Sequence, residues 1–132
     1  MNQRPKTDPP PPSGPPTDSD ETSPAGNPRS AYEWFQRAFA KGEYGDFSGA
    51  IKDYNKAIEL NPEYADAYVN RGVAKSQFED LAGAIEDYSK AIELNPEDAL
   101  TYDNRGNAKK ASGDLVGAEQ YFATGRQVGG KG

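Results

Sequence analysis

Apolar and small residues recur along most of this chain at helical spacing. Within residues 65–98, Ala67, Arg71, Ala74 and Phe78 mark one face of a first segment. Leu81, Ala84, Ile85, Tyr88, Ala91 and Ile92 mark one face of a second. Each series predicts a helix of about four turns. The pattern returns every 34 residues without a gap, aligning Ala50 with Ala84 and Ala118, Tyr54 with Tyr88 and Phe122, and Asp46 with Asp80 and Asp114. The stretch from Gly49 to Pro62 reappears nearly unchanged from Gly83 to Pro96. Tyr68-Val69-Asn70-Arg71-Gly72 returns as Tyr102-Asp103-Asn104-Arg105-Gly106.

The residues between the helices say how the chain turns. Gly45-Asp46, Glu79-Asp80 and Gly113-Asp114 separate the two helices of each unit; Asp suits the N-cap of the second helix, and Gly takes a positive backbone angle at little cost. Asn61-Pro62 and Asn95-Pro96 stop the second helix and tilt the chain into the next unit. Gly72, Gly106 and Ala38 let a first helix lie close to its partner, while Tyr54, Tyr88 and Phe122 fill the remaining space. A single hairpin leaves an apolar face wet, so the units must stack. The expected architecture is all-α: three helical hairpins at 31–64, 65–98 and 99–132.

Composition changes abruptly upstream. Residues 1–30 hold nine of the eleven prolines and almost no aliphatic side chains, which predicts a disordered arm with polyproline II character. Pro9, Pro12 and Pro15 could serve a proline-binding groove, although such arms more often act as spacers. The chain contains no cysteine and no histidine, which removes thiolate and imidazole chemistry, the usual general base near neutral pH, and the commonest soft-metal ligands. The acidic pairs Glu59/Glu63 and Glu93/Glu97 lack the Gly-centred loop of a calcium site and read as solvated helix ends. No cofactor is expected. A net charge of −6 without a basic cluster argues against nucleic acid. No apolar run approaches a membrane span or a secretory signal, so the expectation is a cytoplasmic protein.

The spacing of Trp34, Tyr68 and Tyr102, of Ala50, Ala84 and Ala118, of Ala57 and Ala91, and of Pro62 and Pro96 resembles the tetratricopeptide repeat family over residues 31–132. Arg37, Arg71 and Arg105 depart from it, standing where the family usually has Leu. The resemblance implies a right-handed superhelix whose first helices line a concave, non-catalytic groove for an extended peptide or a partner helix. Carried over position by position, the peptide-binding residues are Phe35, Gln36 and Phe39, then Val69, Asn70 and Val73, then Asn104 and Asn107.

The row Gln36, Asn70, Asn104 could pair with a peptide backbone, since each carboxamide both donates and accepts; alternatively Asn70 and Asn104 tie neighbouring helices together. Phe35 and Phe39 are expected as an exposed apolar patch beside Val69 and Val73, suited to anchoring a partner, unless the arm or the edge of the stack covers them. The carboxylate clamp of chaperone-binding family members is mostly missing, because Phe35, Phe39, Leu100 and Asn104 replace its cationic and amide groups and only Asn70 agrees. The arginine row is expected to pair internally with Asp53 and Asp87. Gly125 weakens the final helix. An uncovered face at Leu115, Ala118 and Phe122 would favour a homodimer through the C-terminal hairpin.

Overall fold

The computed structural model describes residues 22, 23 and 26–113. Five helices follow one another: α1 (Ala31–Glu43), α2 (Phe47–Leu60), α3 (Ala65–Gln77), α4 (Leu81–Leu94) and α5 (Ala99–Ala111). They make two complete hairpins and the first helix of a third. The second helix of the third unit, with Gly125 and the face expected to dimerise, lies outside the described residues. Each helix packs on the next, and α1 also touches α3, so the first helices form one layer of a solenoid.

Local chemistry sets the helix ends where the sequence suggests. Ser30 opens α1 with a reciprocal cap: its hydroxyl accepts from the Glu33 amide at 3.1 Å, and its own amide donates to the Glu33 carboxylate at 2.9 Å. The Asp46 and Asp80 carboxylates accept from the amides of Gly49 and Gly83 at 2.9 and 3.0 Å. Asn61 and Asn95 close α2 and α4 ahead of the prolines. The turn between the helices of each hairpin needs a left-handed residue. Gly45 and Gly113 supply it at φ of 84° and 97°, while unit two places Glu79 there at φ 60°.

Small residues hold the hairpins together. Ala38, Ala50, Ala57 and Ala67 pack around Trp34 and Tyr54, and Ala84 and Ala108 pack around Tyr88. At Gly72 the approach is closest: an added Cβ would meet Tyr88 Cε1 at 2.7 Å. The opening aromatics then tie each unit to the one before. The Tyr68 hydroxyl donates to the Pro62 carbonyl at 3.2 Å, and Tyr102 to Pro96 at 3.1 Å.

The arginine row occupies the same seam. Arg37, Arg71 and Arg105 each lie over the aromatic ring three residues earlier, at 5.4, 5.4 and 5.6 Å. Arg71 grips Asp87 through Nε at 2.9 Å and Nη2 at 2.8 Å, and its Nη1 donates to Asn55 Oδ1 in the preceding unit at 2.7 Å. Lys75 meets the same carboxylate at 3.1 Å. In unit one Arg37 and Lys41 approach Asp53 at 3.0 and 2.9 Å, without the aligned two-point grip of unit two. The expected internal pairing is therefore present. It also explains Arg in place of Leu: in units one and two the guanidinium lies over a ring and at the same time meets a carboxylate on the second helix.

One expected core position differs. Phe78, assigned to the packed face of α3, is the C-cap residue and is 56% exposed. The helix ends at Gln77, so the wheel that placed Phe78 beside Ala74 no longer applies. Its ring turns outward and meets Phe47 edge-on at 6.4 Å.

Two measurements test these seams. Glu79→Gly relieves the left-handed penalty and should raise stability by about 0.5–1 kcal/mol, read from the urea midpoint. Asp87→Ala strands Arg71 and Lys75 beside one another and should cost about 3 kcal/mol in the same assay.

Candidate functional site: a repeated pocket on the first helices

The first helices leave two depressions at the same place in successive units. The first is lined by Phe39, Gly42 and Glu43 of α1, Phe47, Ala50 and Tyr54 of α2, and Asn70, Val73 and Ala74 of α3; its volume is about 110 Å³. The second is lined by Val73, Ser76, Leu81, Tyr88, Asn104, Asn107, Ala108 and Ala111, with a volume of about 360 Å³. Adding 34 to Phe39, Gly42, Phe47, Tyr54, Asn70, Val73 and Ala74 gives Val73, Ser76, Leu81, Tyr88, Asn104, Asn107 and Ala108. Every one of these lines the second pocket. The fold thus repeats a pocket as well as a hairpin, and Val73 belongs to both.

The two pockets share a floor and differ at the rim. Each floor carries a tyrosine buried between helices, Tyr54 or Tyr88. Burial pushes the Tyr54 hydroxyl well above its ordinary range, with the Glu43 carboxylate acting the same way, and burial raises Tyr88 too. Both phenols therefore hold their protons more tightly than a free tyrosine does. The first rim carries Phe39, Val73, Asn70 and Glu43. In the second, Val73 takes the place of the Phe39 ring, Asn104 that of Asn70 and Asn107 that of Val73, so apolar character fades from the first pocket to the second.

Of the residues expected to bind a peptide, Phe39, Asn70 and Val73 meet at the first pocket, and Val73, Asn104 and Asn107 at the second. Gln36 is exposed and lines neither. Among the described residues, no side-chain hydrogen bond from Asn70 or Asn104 ties neighbouring helices; Arg71 to Asn55 and Arg105 to Ser89 make the cross-helix bonds of this kind.

Phe35 and Val69 require a correction. Both were expected beside Phe39 and Val73 in an exposed patch, and both are half-buried. Phe35 stacks on Tyr64 at 5.0 Å and meets Tyr54 edge-on at 5.7 Å, while Val69 packs against the cluster around Tyr88. The reason is the neighbouring unit: the chain entering α3 lays Tyr64 across the Phe35 face. The patch that remains open is Phe39, at 50% exposure, extended toward the hairpin turns by Phe47 and Phe78, with Tyr44 also exposed there. Sequence reading missed Phe47 and Tyr54 as pocket residues. Their signal was the repeat itself, since Leu81 and Tyr88 stand at the same places.

Comparison with known proteins agrees with this geometry. A family profile described as "TPR repeat" matches residues 37–77, and one described as "Tetratricopeptide repeat" matches residues 65–98. Residues 37–98 belong to the tetratricopeptide repeat family.

Solved tetratricopeptide structures superpose on the array well. A MamA crystal structure is 29% identical with a TM-score of 0.75, covering 77% of this chain and 56% of MamA, so the chain spans little more than half of that protein. The second TPR of Spaghetti (RPAP3), bound to the HSP90 peptide SRMEEVD, is 25% identical with a TM-score of 0.72 and covers 76% of this chain and 93% of that one. The TPR2B domain of yeast Sti1, in a complex with pHsp70, is 28% identical with a TM-score of 0.72, over 74% and 78% of the two chains. Comparison with curated protein sequences gives no match. Among the described residues no helix is long and apolar enough to cross a membrane, and no group of three or more Asp, Glu, Cys or His side chains is placed to hold a metal ion.

Alanine substitution should separate the two phenylalanines of α1. Phe35→Ala removes a stacked, half-buried ring and should cost about 3 kcal/mol of unfolding free energy. Phe39→Ala should cost about 1 kcal/mol or less, because half of that ring is already in water. Equal losses in chemical denaturation would contradict the assignment.

Proposed function

We propose that this protein is a non-catalytic interaction module that holds an extended peptide or a partner helix across the first-helix layer. The observation that carries this reading is the recurrence of one pocket at a fixed step. Two equivalent seats, joined at Val73, suit a polypeptide whose side chains enter at regular intervals. Asn70 and Asn104 stand at the same position of the two seats, and each offers a donor and an acceptor to a peptide backbone. Phe39 provides the aromatic anchor, the kind of residue on which binding energy concentrates.

The related domains of RPAP3 and Sti1 were solved with chaperone peptides, which supports a polypeptide ligand here. The ligand differs in chemistry. Phe35, Phe39 and Leu100 stand where a carboxylate clamp needs polar and cationic groups, and the charged residue lining the first pocket is the acid Glu43. An acidic C-terminal peptide finds no cation in either seat.

Affinity capture from native lysate tests the proposal. Wild type should retain a discrete protein partner that Phe39→Ala combined with Asn70→Ala loses, while circular dichroism of the variant stays unchanged. Truncating Phe39 alone should weaken the recovered complex by about 2 kcal/mol, near thirtyfold in Kd. Identical captures by wild type and variant would sink the groove assignment.

A further inference from the structure

The first pocket has a matching segment in its own chain. Its aromatic wall is Phe39, Phe47 and Tyr54, and the charged side chain on its lining is the exposed carboxylate of Glu43. Aromatic-lined grooves hold polyproline II segments, whose order is already set by proline and whose three-residue turn presents every third side chain to one side. In residues 1–21 that period gathers Lys6, Pro9, Pro12 and Pro15 on a single face, one cation followed by three prolines. Asp8 falls on a different face, and Asp18 follows only after the last of the three prolines.

Reach is sufficient. Thr22 is bridged to Pro28 just ahead of α1. Pro15 lies seven residues further upstream, or about 20 Å as polyproline II. From Ala31 to Phe39 the distance along α1 is about 12 Å. A tethered segment acts at an effective concentration on the millimolar scale, so a weak contact is enough to occupy the seat.

Resting on the reading of this groove as a polypeptide-binding surface, we infer that the proline-rich arm of the same chain docks in the first pocket. Pro9 and Pro12 pack against Phe39 and Phe47, Lys6, one polyproline turn beyond Pro9, sits by Glu43, and Pro15 leads back toward Thr22. An external partner then binds by displacing the arm, so the arm sets a threshold of affinity and selects against weak ligands.

The chain has no cysteine, so a Thr7→Cys variant of the full protein carries one nitroxide spin label at a defined place. Amide signals of Phe39, Glu43 and Val73 should lose most of their intensity, and that of Glu93 on α4 should keep its own. The loss should persist on dilution. It should disappear in the quadruple arm variant Lys6→Glu, Pro9→Gly, Pro12→Gly, Pro15→Gly, which leaves the folded repeats untouched.

Even or absent broadening overturns the inference. So does broadening seen only when spin-labelled chains are mixed with separately isotope-labelled ones, since the occupant would then be a second copy. The two readings come apart cleanly: loss of partner capture in Phe39→Ala without broadening by the arm removes this inference and leaves the groove function in place. Broadening at Phe39 alongside unchanged partner capture does the reverse.

Discussion

The stack depends on how closely a first helix can lie against the aromatic ring of its partner. At Gly72 a single hydrogen faces the Tyr88 ring, and a methyl group would stand 2.7 Å from it. That ring is buried and fixed by packing, so the helix, rather than the ring, would have to move. Alanines at positions 38, 50, 57, 84 and 91 extend the same close approach through both hairpins. Because the helices sit this near, the tyrosine of each second helix reaches through to the opposite side. There it becomes the floor of a pocket.

Polar groups at the seam add direction to this packing. Aspartates at 53 and 87 each receive an arginine and a lysine from one turn of the first helix. An apolar pair of similar volume could be as stable, but it would not fix the rotation of one helix against the other. Arg71 does more, because it bonds Asn55 of the previous unit and Asp87 of its own, joining three helices through one planar group. The pockets on the opposite side inherit that alignment, which is why the seven shared positions line both.

Between the two pockets the scaffold stays constant while the rim changes. Tyr54 and Tyr88 hold equivalent floors. Phe39 and Val73, at equivalent rim positions, mark the change from an aromatic seat to a smaller one, and the step from Val73 to Asn107 turns the next position polar. A linear ligand lying across both would meet an apolar contact at one end and hydrogen-bonding groups at the other. Such a gradient would give a bound polypeptide a preferred direction. The acid at Glu43 biases what approaches the apolar end.

Much of this was legible in the residues alone. The 34-residue step, the aspartate N-caps, the Asn-Pro stops and the arginine–aspartate pairing are short-range or periodic, and repetition states each of them more than once. The conflicts arose where a neighbouring unit intervenes. Phe35 and Phe39 look alike on a helical wheel, yet Tyr64 from the entry to α3 stacks on one and leaves the other half in water. Phe78 follows the helical period, yet α3 stops one residue earlier and sends its ring to Phe47 of another unit. The sequence by itself therefore determined the helices, their ends and their repetition, because those follow from contacts within a few turns of chain. Only the tertiary structure decided which outward positions stay open and that they join as two equivalent pockets, because exposure depends on where the adjacent repeat lays its side chains.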